Sequence, residues 1–333
     1  MVAHGIKLPR RQFCVAAAGV LAGGAVAAMP SIVRAQSYPS RPVRIIVGAI
    51  AGSAPDVIAR LIAQRLSERL GQPFVVENRE GGNGTLAGEV VARTPPDGYE
   101  LLLISASYTI DPNVIVSPNF DFRRDIAPIA NAVILPAVIT VNPGLPAKTL
   151  PELIAYAKAN PDKVNIGAPG IGSPQYIAGE LFMMMTGARL SMISYRGGPP
   201  AVTDAISGQI QGMIGTVLLT VDHVRSGGLR ALAVTSAKRS ELMPDVPAVA
   251  EFVPGFDANQ WIGIGAPAKT PPDVINKLNA EVNVALADPE TKKRISGLGG
   301  MTMPGTPADF NKFMEVELQK WAKVIKFANA QTK

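Results

Sequence analysis

Hydrolysis and group transfer need a nucleophile, a base or a metal, and this 333-residue sequence has few side chains for any of them. Its two histidines are His4 and His223, and its one cysteine is Cys14. His4 and Cys14 fall in a segment that reads as an export signal, which leaves His223 as the one imidazole of the mature chain and no thiol. No serine occupies a G-x-S-x-G elbow. Gly170-Ile171-Gly172-Ser173 comes nearest and fails the spacing. His, Asp and Glu do not gather at metal-ligand spacings, and no carboxylate pair stands out for acid–base work. Catalytic residues and metal ligands are therefore assigned to no position, and no cofactor is expected.

Two other segments point to binding. Gly48-Ala49-Ile50-Ala51-Gly52-Ser53-Ala54-Pro55-Asp56 and Gly167-Ala168-Pro169-Gly170-Ile171-Gly172-Ser173 each join a strand to a helix. Their small residues let a ligand reach the backbone, and each ends at a helix N-terminus. Free N–H groups and the positive end of the helix dipole favour anions there. A pair of such loops on a chain without catalytic residues predicts an anion-binding cleft. The expected contacts are Ile50, Ala51, Gly52, Ser53 and Asp56 from the first loop, Gly170, Ile171, Gly172, Ser173, Gln175 and Tyr176 from the second, and Ser107, Tyr108 and Arg196 beside them. A third segment competes: Gly82-Asn83-Gly84-Thr85-Leu86-Ala87 matches the G-x-G-x-x-A fingerprint of dinucleotide sites. It follows the second predicted strand instead of the first. The next strand ends Ile104-Ser105-Ala106-Ser107, without the acid that would bind the ribose.

The elements that must position these loops alternate short apolar strands with amphipathic helices, which predicts an α/β protein. Strands are expected at residues 43–50, 74–77, 99–104, 164–166, 210–214 and 229–235. A helix at 56–70 carries Ile58, Leu61, Ile62, Leu66 and Leu70 at spacings of three and four, and Gly71 ends it. A second helix is expected at 85–93. Thr149 with Glu152 predicts a capping box, and Ser173 with Pro174 a cap and first helical residue. Residues 270–273 and 306–309 read as helix starts, and the last helix is expected to bury Phe310, Phe313, Met314, Trp321 and Ile325.

Composition narrows the function classes. Hydrophobic residues make up 47% and charged residues 17%, enough for real cores. Four of the 32 basic residues, Lys7, Arg10, Arg11 and Arg34, lie in an acid-free first 35 residues, and the other 28 nearly balance 26 acids. No basic stripe with interleaved aromatics appears, which argues against nucleic acid. Arg10-Arg11-Gln12-Phe13, an Ala/Gly-rich apolar stretch from about Cys14 to Met29, and Val33-Arg34-Ala35 read as a signal peptide of the twin-arginine kind, cleaved after Ala35. Its glycines and Pro30 argue against a membrane anchor.

Short motifs in a fixed order complete the reading. They are Tyr38-Pro39-Ser40-Arg41-Pro42-Val43, Asn78-Arg79, Pro96-Asp97-Gly98-Tyr99, Gly172-Ser173-Pro174-Gln175, Tyr195-Arg196-Gly197-Gly198, Leu232-Ala233-Val234-Thr235, Pro244-Asp245-Val246-Pro247, and Trp261 followed by Ala266-Pro267. In these the chain resembles the Bug-type substrate-binding proteins of tripartite tricarboxylate transporters, from Tyr38 to about Phe327. The resemblance implies a two-lobed periplasmic binding protein, type II-like, with lobes joined by two crossing segments near 131–141 and 256–266. Residues 1–35 would be the signal, 36–138 and 263–333 the first lobe, and 139–262 the second. It implies capture of a small organic acid for uptake or sensing, with a membrane permease as partner, and the receptor is expected to be a monomer. A twin-arginine-exported oxidoreductase holding a dinucleotide is the alternative. The family's first loop usually reads Pro-Phe-x-Pro-Gly-Gly, a His is common where Tyr176 stands, and an Asp where Gly215 stands. The loss of a ring and two prolines implies either a roomier pocket, for an aromatic or medium-length acid, or refilling by side chains such as Tyr108 and Tyr176.

Overall fold

The computed structural model describes residues 38–110 and 116–331. The expectations on Arg10, Arg11, Cys14 and Ala35 lie outside the described residues. In chain order the elements are β1 (Val43–Val47), α1 (Ala54–Leu70), β2 (Phe74–Asn78), α2 (Thr85–Ala92), β3 (Glu100–Ser105), α3 (Ser107–Ile110), β4 (Val116–Ser117), β5 (Phe120–Asp121), α4 (Phe122–Asp125) and β6 (Ile126–Val141). There follow α5 (Leu150–Ala159), β7 (Asn165–Pro169), α6 (Pro174–Thr186), β8 (Ser191–Tyr195), α7 (Gly198–Ser207), β9 (Gly212–Thr216), α8 (Val217–Arg225) and β10 (Arg230–Val234). The chain closes with β11 (Asn259–Pro267), α9 (Pro272–Ala287), α10 (Pro289–Gly297), β12 (Met301–Thr302) and α11 (Pro307–Gln331). The α/β alternation expected from the apolar periodicity is present.

The main sheet is built twice on one plan. In the first section β1 pairs in parallel with β2 and β3, and β11 and then β6 add antiparallel strands beyond β3. In the second, β7 pairs in parallel with β8 and β9, and β6 and then β10 add antiparallel strands beyond β9. The 16-residue β6 serves both sections. Its residues 126–136 pair with β11, and from Ala137 it pairs with β9 and β10. Of the segments expected to cross near 131–141 and 256–266, the first lies in β6, which pairs in both sections, and the second leads into β11, which pairs in the first.

Local physics explains most boundaries. Gly71 ends α1 with φ of 70°, and its N–H donates to the Ser67 carbonyl at 3.0 Å. The predicted capping box is only half formed: Thr149 Oγ1 accepts from the Glu152 N–H at 3.3 Å, while the Glu152 carboxylate reaches the Lys148 N–H at 2.7 Å. The last helix buries Phe310, Met314, Glu317, Trp321 and Val324, at alternating spacings of four and three. Ile325 is one step off that stripe and only half-buried, as is Phe313. Phe310 and Phe313 meet the buried Trp261 edge-on at 5.7 and 5.5 Å. Through this stripe α11 packs on β6, α3 and α6 and so braces both sections. Strand β8 and helices α7 and α8 were not anticipated. The first turn of α7 holds Pro199 and Pro200, which mask its periodicity yet suit a helix start.

Candidate functional site

The duplicated plan gives the two glycine-rich loops equivalent places. β1 lies between β2 and β3, and β7 between β8 and β9. Where a parallel sheet has neighbours on both sides of its first strand, the loops after that strand and the next diverge and open a crevice at the strand C-termini. Residues 48–53 leave β1 at such a point, and residues 170–173 leave β7. Ser105 and Ser107 mark the end of β3, and Thr216 the end of β9. The single turn α3 packs against α6, which brings the end of β3 beside the helix that starts at the second loop.

The loops also share one conformation. Ser53 N–H donates to the Ile50 carbonyl at 3.2 Å, and Ser173 N–H to the Gly170 carbonyl at 3.2 Å. The third residues of these turns, Gly52 and Gly172, have φ of 79° and 81°, as a type II turn requires. Ser53 and Ser173 are extended N-caps, and their carbonyls accept from Val57 at 2.9 Å and Ile177 at 3.0 Å. Not every amide is open to a ligand. Gly52 N–H is held by Asp56 Oδ2 at 2.9 Å and Gly170 N–H by the Tyr195 carbonyl at 2.9 Å. Among the described residues, the amides of Ile50 and Ala51 in one turn and of Ile171 and Gly172 in the other have no partner within the chain. The tips are apolar: Ile50 is 60% and Ile171 73% exposed.

The serines differ. Ser173 Oγ accepts from the Tyr176 N–H at 3.1 Å and caps α6 as expected. Ser53 Oγ instead turns back and donates to the Ile50 carbonyl at 2.6 Å. Asp56, expected to touch ligand, is only 2% exposed and fully engaged within the chain. Its carboxylate accepts from Gly52 N–H, from Arg60 Nε at 3.0 Å and from Asn78 Nδ2 at 3.0 Å. Burial works to raise its pKa, but the bonds from Arg60, Gly52 and Asn78 outweigh it and leave the carboxyl below its ordinary value.

Tyr108 is also committed. It is 1% exposed, its hydroxyl donates to the Gly84 carbonyl at 2.6 Å, and its ring lies 5.0 Å from that of Phe122. Burial pushes the hydroxyl pKa up. Tyr108 therefore fills the space beneath the first loop, where a cavity of about 20 Å³ remains between Gly48, Ala49, Gly84 and Ser105. That is room for one water, not for an aromatic ring. Ser107 Oγ lies 2.8 Å from Ser105 Oγ. Gln175 is buried and Tyr176 half-buried, the latter with its hydroxyl pKa raised by burial and then by nearby Glu180. Arg196 is exposed and forms no ion pair among the described residues.

The G-x-G-x-x-A segment has a packing role. It follows β2, the edge strand of its section, and not β1, where the crevice opens. A Cβ on Gly48 would lie 2.6 Å from the Gly84 Cα, and one on Gly88 2.6 Å from the Phe120 ring. Gly48 and Gly84 let the 82–84 turn tuck under the first loop, and Gly88 lets α2 pack on Phe120. Sequence reasoning missed Asn78 as a loop partner and Thr216 as the cap of α8, whose Oγ1 accepts from Leu219 N–H at 3.4 Å. A Thr at a strand end before an apolar helix was the available signal.

The sequence matches the tripartite tricarboxylate transporter family receptor, TctC, over residues 58–330. The chain belongs to this family. Among TctC-family relatives, BugT of Bordetella pertussis is 36% identical over 312 residues, 93% of this chain and 96% of that protein. Rpa4515 of R. palustris, solved with adipate, is 32% identical with a TM-score of 0.76, over 88% of this chain and 98% of that one. MatC of Rhodopseudomonas palustris, solved with bound malate, is 28% identical with a TM-score of 0.72, over 86% of this chain and 100% of that one. The fold is the two-lobed one of TctC-type periplasmic binding proteins, and β6 pairs in both sections of the sheet.

Proposed function

We propose that this TctC-family receptor works in the periplasm and closes on a small organic carboxylate, held between the loops at residues 48–53 and 170–173. The duplicated turn carries the reading. Two equivalent strand ends deliver the same Gly-Ser turn to a helix N-terminus, and each turn leaves two unpartnered amides. The relatives solved with adipate and malate support a carboxylate as the ligand. The lobes would be residues 36–138 with 263–333, and residues 139–262. The change of partner along β6, from β11 to β9 at Ala137, falls within two residues of that boundary.

Ile50 and Ile171 would cover the apolar body of the acid, with the second polar end met by Ser107, Gln175 or Tyr176 instead of a buried arginine. This favours a medium-length acid such as adipate over citrate. The receptor would act as a non-enzymatic monomer that hands ligand to a membrane permease, after twin-arginine export and cleavage behind Ala35. Calorimetry with adipate, malate, benzoate and citrate tests the ligand class. Citrate binding at least tenfold tighter than the other three, about 1.4 kcal/mol, would overturn the preference, and no binding by any of the four would count against the cleft. Replacing Arg10 and Arg11 together by Lys should abolish periplasmic accumulation; normal accumulation would point to the general secretion pathway.

A further inference from the structure

The two turns are alike in backbone but not in what holds them. We infer that Asp56 and Asn78 are positioning residues that preset the first loop before any ligand arrives, an inference that rests on the proposed carboxylate cleft. Asp56 Oδ2 takes the Gly52 N–H at 2.9 Å, and Asn78 Nδ2 reaches both Asp56 Oδ1 at 3.0 Å and the Ala49 carbonyl at 2.9 Å. The side chains of an α1 residue and a β2 residue thus grip the loop on either side of Ile50 and Ala51, the residues with open amides. Arg60 closes the ring through Asp56 Oδ2 at 3.0 Å and Asn78 Oδ1 at 3.2 Å, from a side chain that is 54% exposed.

The second turn has no such grip. Its residue matching Asp56, three beyond the capping serine, is Tyr176, whose amide is taken by Ser173 Oγ. Its first residue is anchored by backbone alone, Gly170 N–H to the Tyr195 carbonyl. The reason for the difference lies in Ser53. Its hydroxyl folds onto the Ile50 carbonyl and leaves the start of α1 without a side-chain cap. A carboxylate in the first turn of that helix is favoured by the helix dipole, and here it also fixes the loop. Asp56 therefore acts on the ligand through the loop and not by contact, since a second anion pointing at a bound carboxylate would repel it.

Hydrogen exchange of the ligand-free protein reads this directly. In Asp56→Ala the amides of Gly52 and Ser53 should exchange at least tenfold faster, while those of Gly170 and Ser173 stay within twofold and report that the fold is intact. Asn78→Ala, which leaves the Asp56–Gly52 bond in place, should accelerate Ser53 by a smaller factor. Arg60→Ala should do least. Unchanged exchange at Gly52 and Ser53 in both Asp56→Ala and Asn78→Ala overturns the inference, as does equal acceleration in both loops. Adipate calorimetry separates this from the functional reading. A wild-type chain that ignores adipate counts against that ligand and leaves the exchange result to decide the loop. A wild-type chain that binds it should lose at least tenfold in affinity in Asp56→Ala, and an unchanged affinity there also overturns the positioning role.

Discussion

Two glycines of the first loop separate crowding from strain, with a third in α10 as the control. At Gly52 a Cβ would meet nothing within 4 Å, but φ is 79°, so Gly52→Ala suffers only the left-handed backbone. That costs about 1–2 kcal/mol. At Gly48 no left-handed angle is required, but the Cβ would stand 2.6 Å from the Gly84 Cα and 3.3 Å from the Ala87 Cβ. Backbone cannot rotate away as a side chain can, so Gly48→Ala should cost about 3 kcal/mol, the upper part of the overpacking range. Gly297, near the end of α10, has neither problem, and Gly297→Ala should be neutral or slightly stabilising. With an unfolding entropy near 2.1 cal/mol/K per residue, a folded chain of roughly 300 residues shifts its midpoint by about 1.6 °C per kcal/mol. Calorimetric melting should then show losses of about 2–3 °C for Gly52→Ala and about 5 °C for Gly48→Ala, with none for Gly297→Ala. Gly52→Ala should also lose ligand affinity beyond its small stability loss, because relief of strain flips the peptide that points the loop. If Gly52→Ala melts and binds like the wild type, the loop is not the turn described and the argument from it fails. If Gly48→Ala melts like Gly297→Ala, the loop does not rest on the 82–84 turn.

Ser173→Ala should cost about 0.5–2 kcal/mol by loss of a side-chain helix cap, whereas Ser53→Ala should cost less, because the Ser53 hydroxyl bonds no amide of α1; equal losses in chemical unfolding would refute the contrast. Phe310→Ala, which empties the space beside Trp261, should cost about 3–5 kcal/mol, and a loss under 1 kcal/mol would contradict the packing of α11 on the crossing strand. Asp56 has a folded pKa below its unfolded value, so its contribution is complete above the ordinary carboxylate range, about pH 4, and disappears as pH falls through the lowered value. Asp56→Asn should therefore show a shallower loss of stability below about pH 4 than the wild type, and parallel acid curves for the two proteins would refute that sign.

Much of this protein was legible in its residues. The apolar period of 58–70, the last helix with Phe310, Met314 and Trp321 inward, the glycine stops and the Ser-Pro helix start are local features, and local sterics and capping decide them wherever the chain goes. The conformation of the two glycine-rich loops was legible for the same reason, since a glycine before a capping serine suits the left-handed corner of a tight turn into a helix. The apolar pattern also specified an α/β alternation, and the family resemblance implied two crossing segments. It could not say that β6 continues for 16 residues and changes partners at Ala137, because strand pairing is a contact between distant segments with no signature in the strand itself. Nor could it reveal the duplicated sheet plan, since the two halves share topology and turn geometry but little sequence. Asp56 shows the limit most plainly. As a carboxylate in a glycine-rich helix start it read as a ligand contact. Only folding, which buries Asp56 and carries Asn78 of β2 to its other side, turns it into the residue that holds the loop.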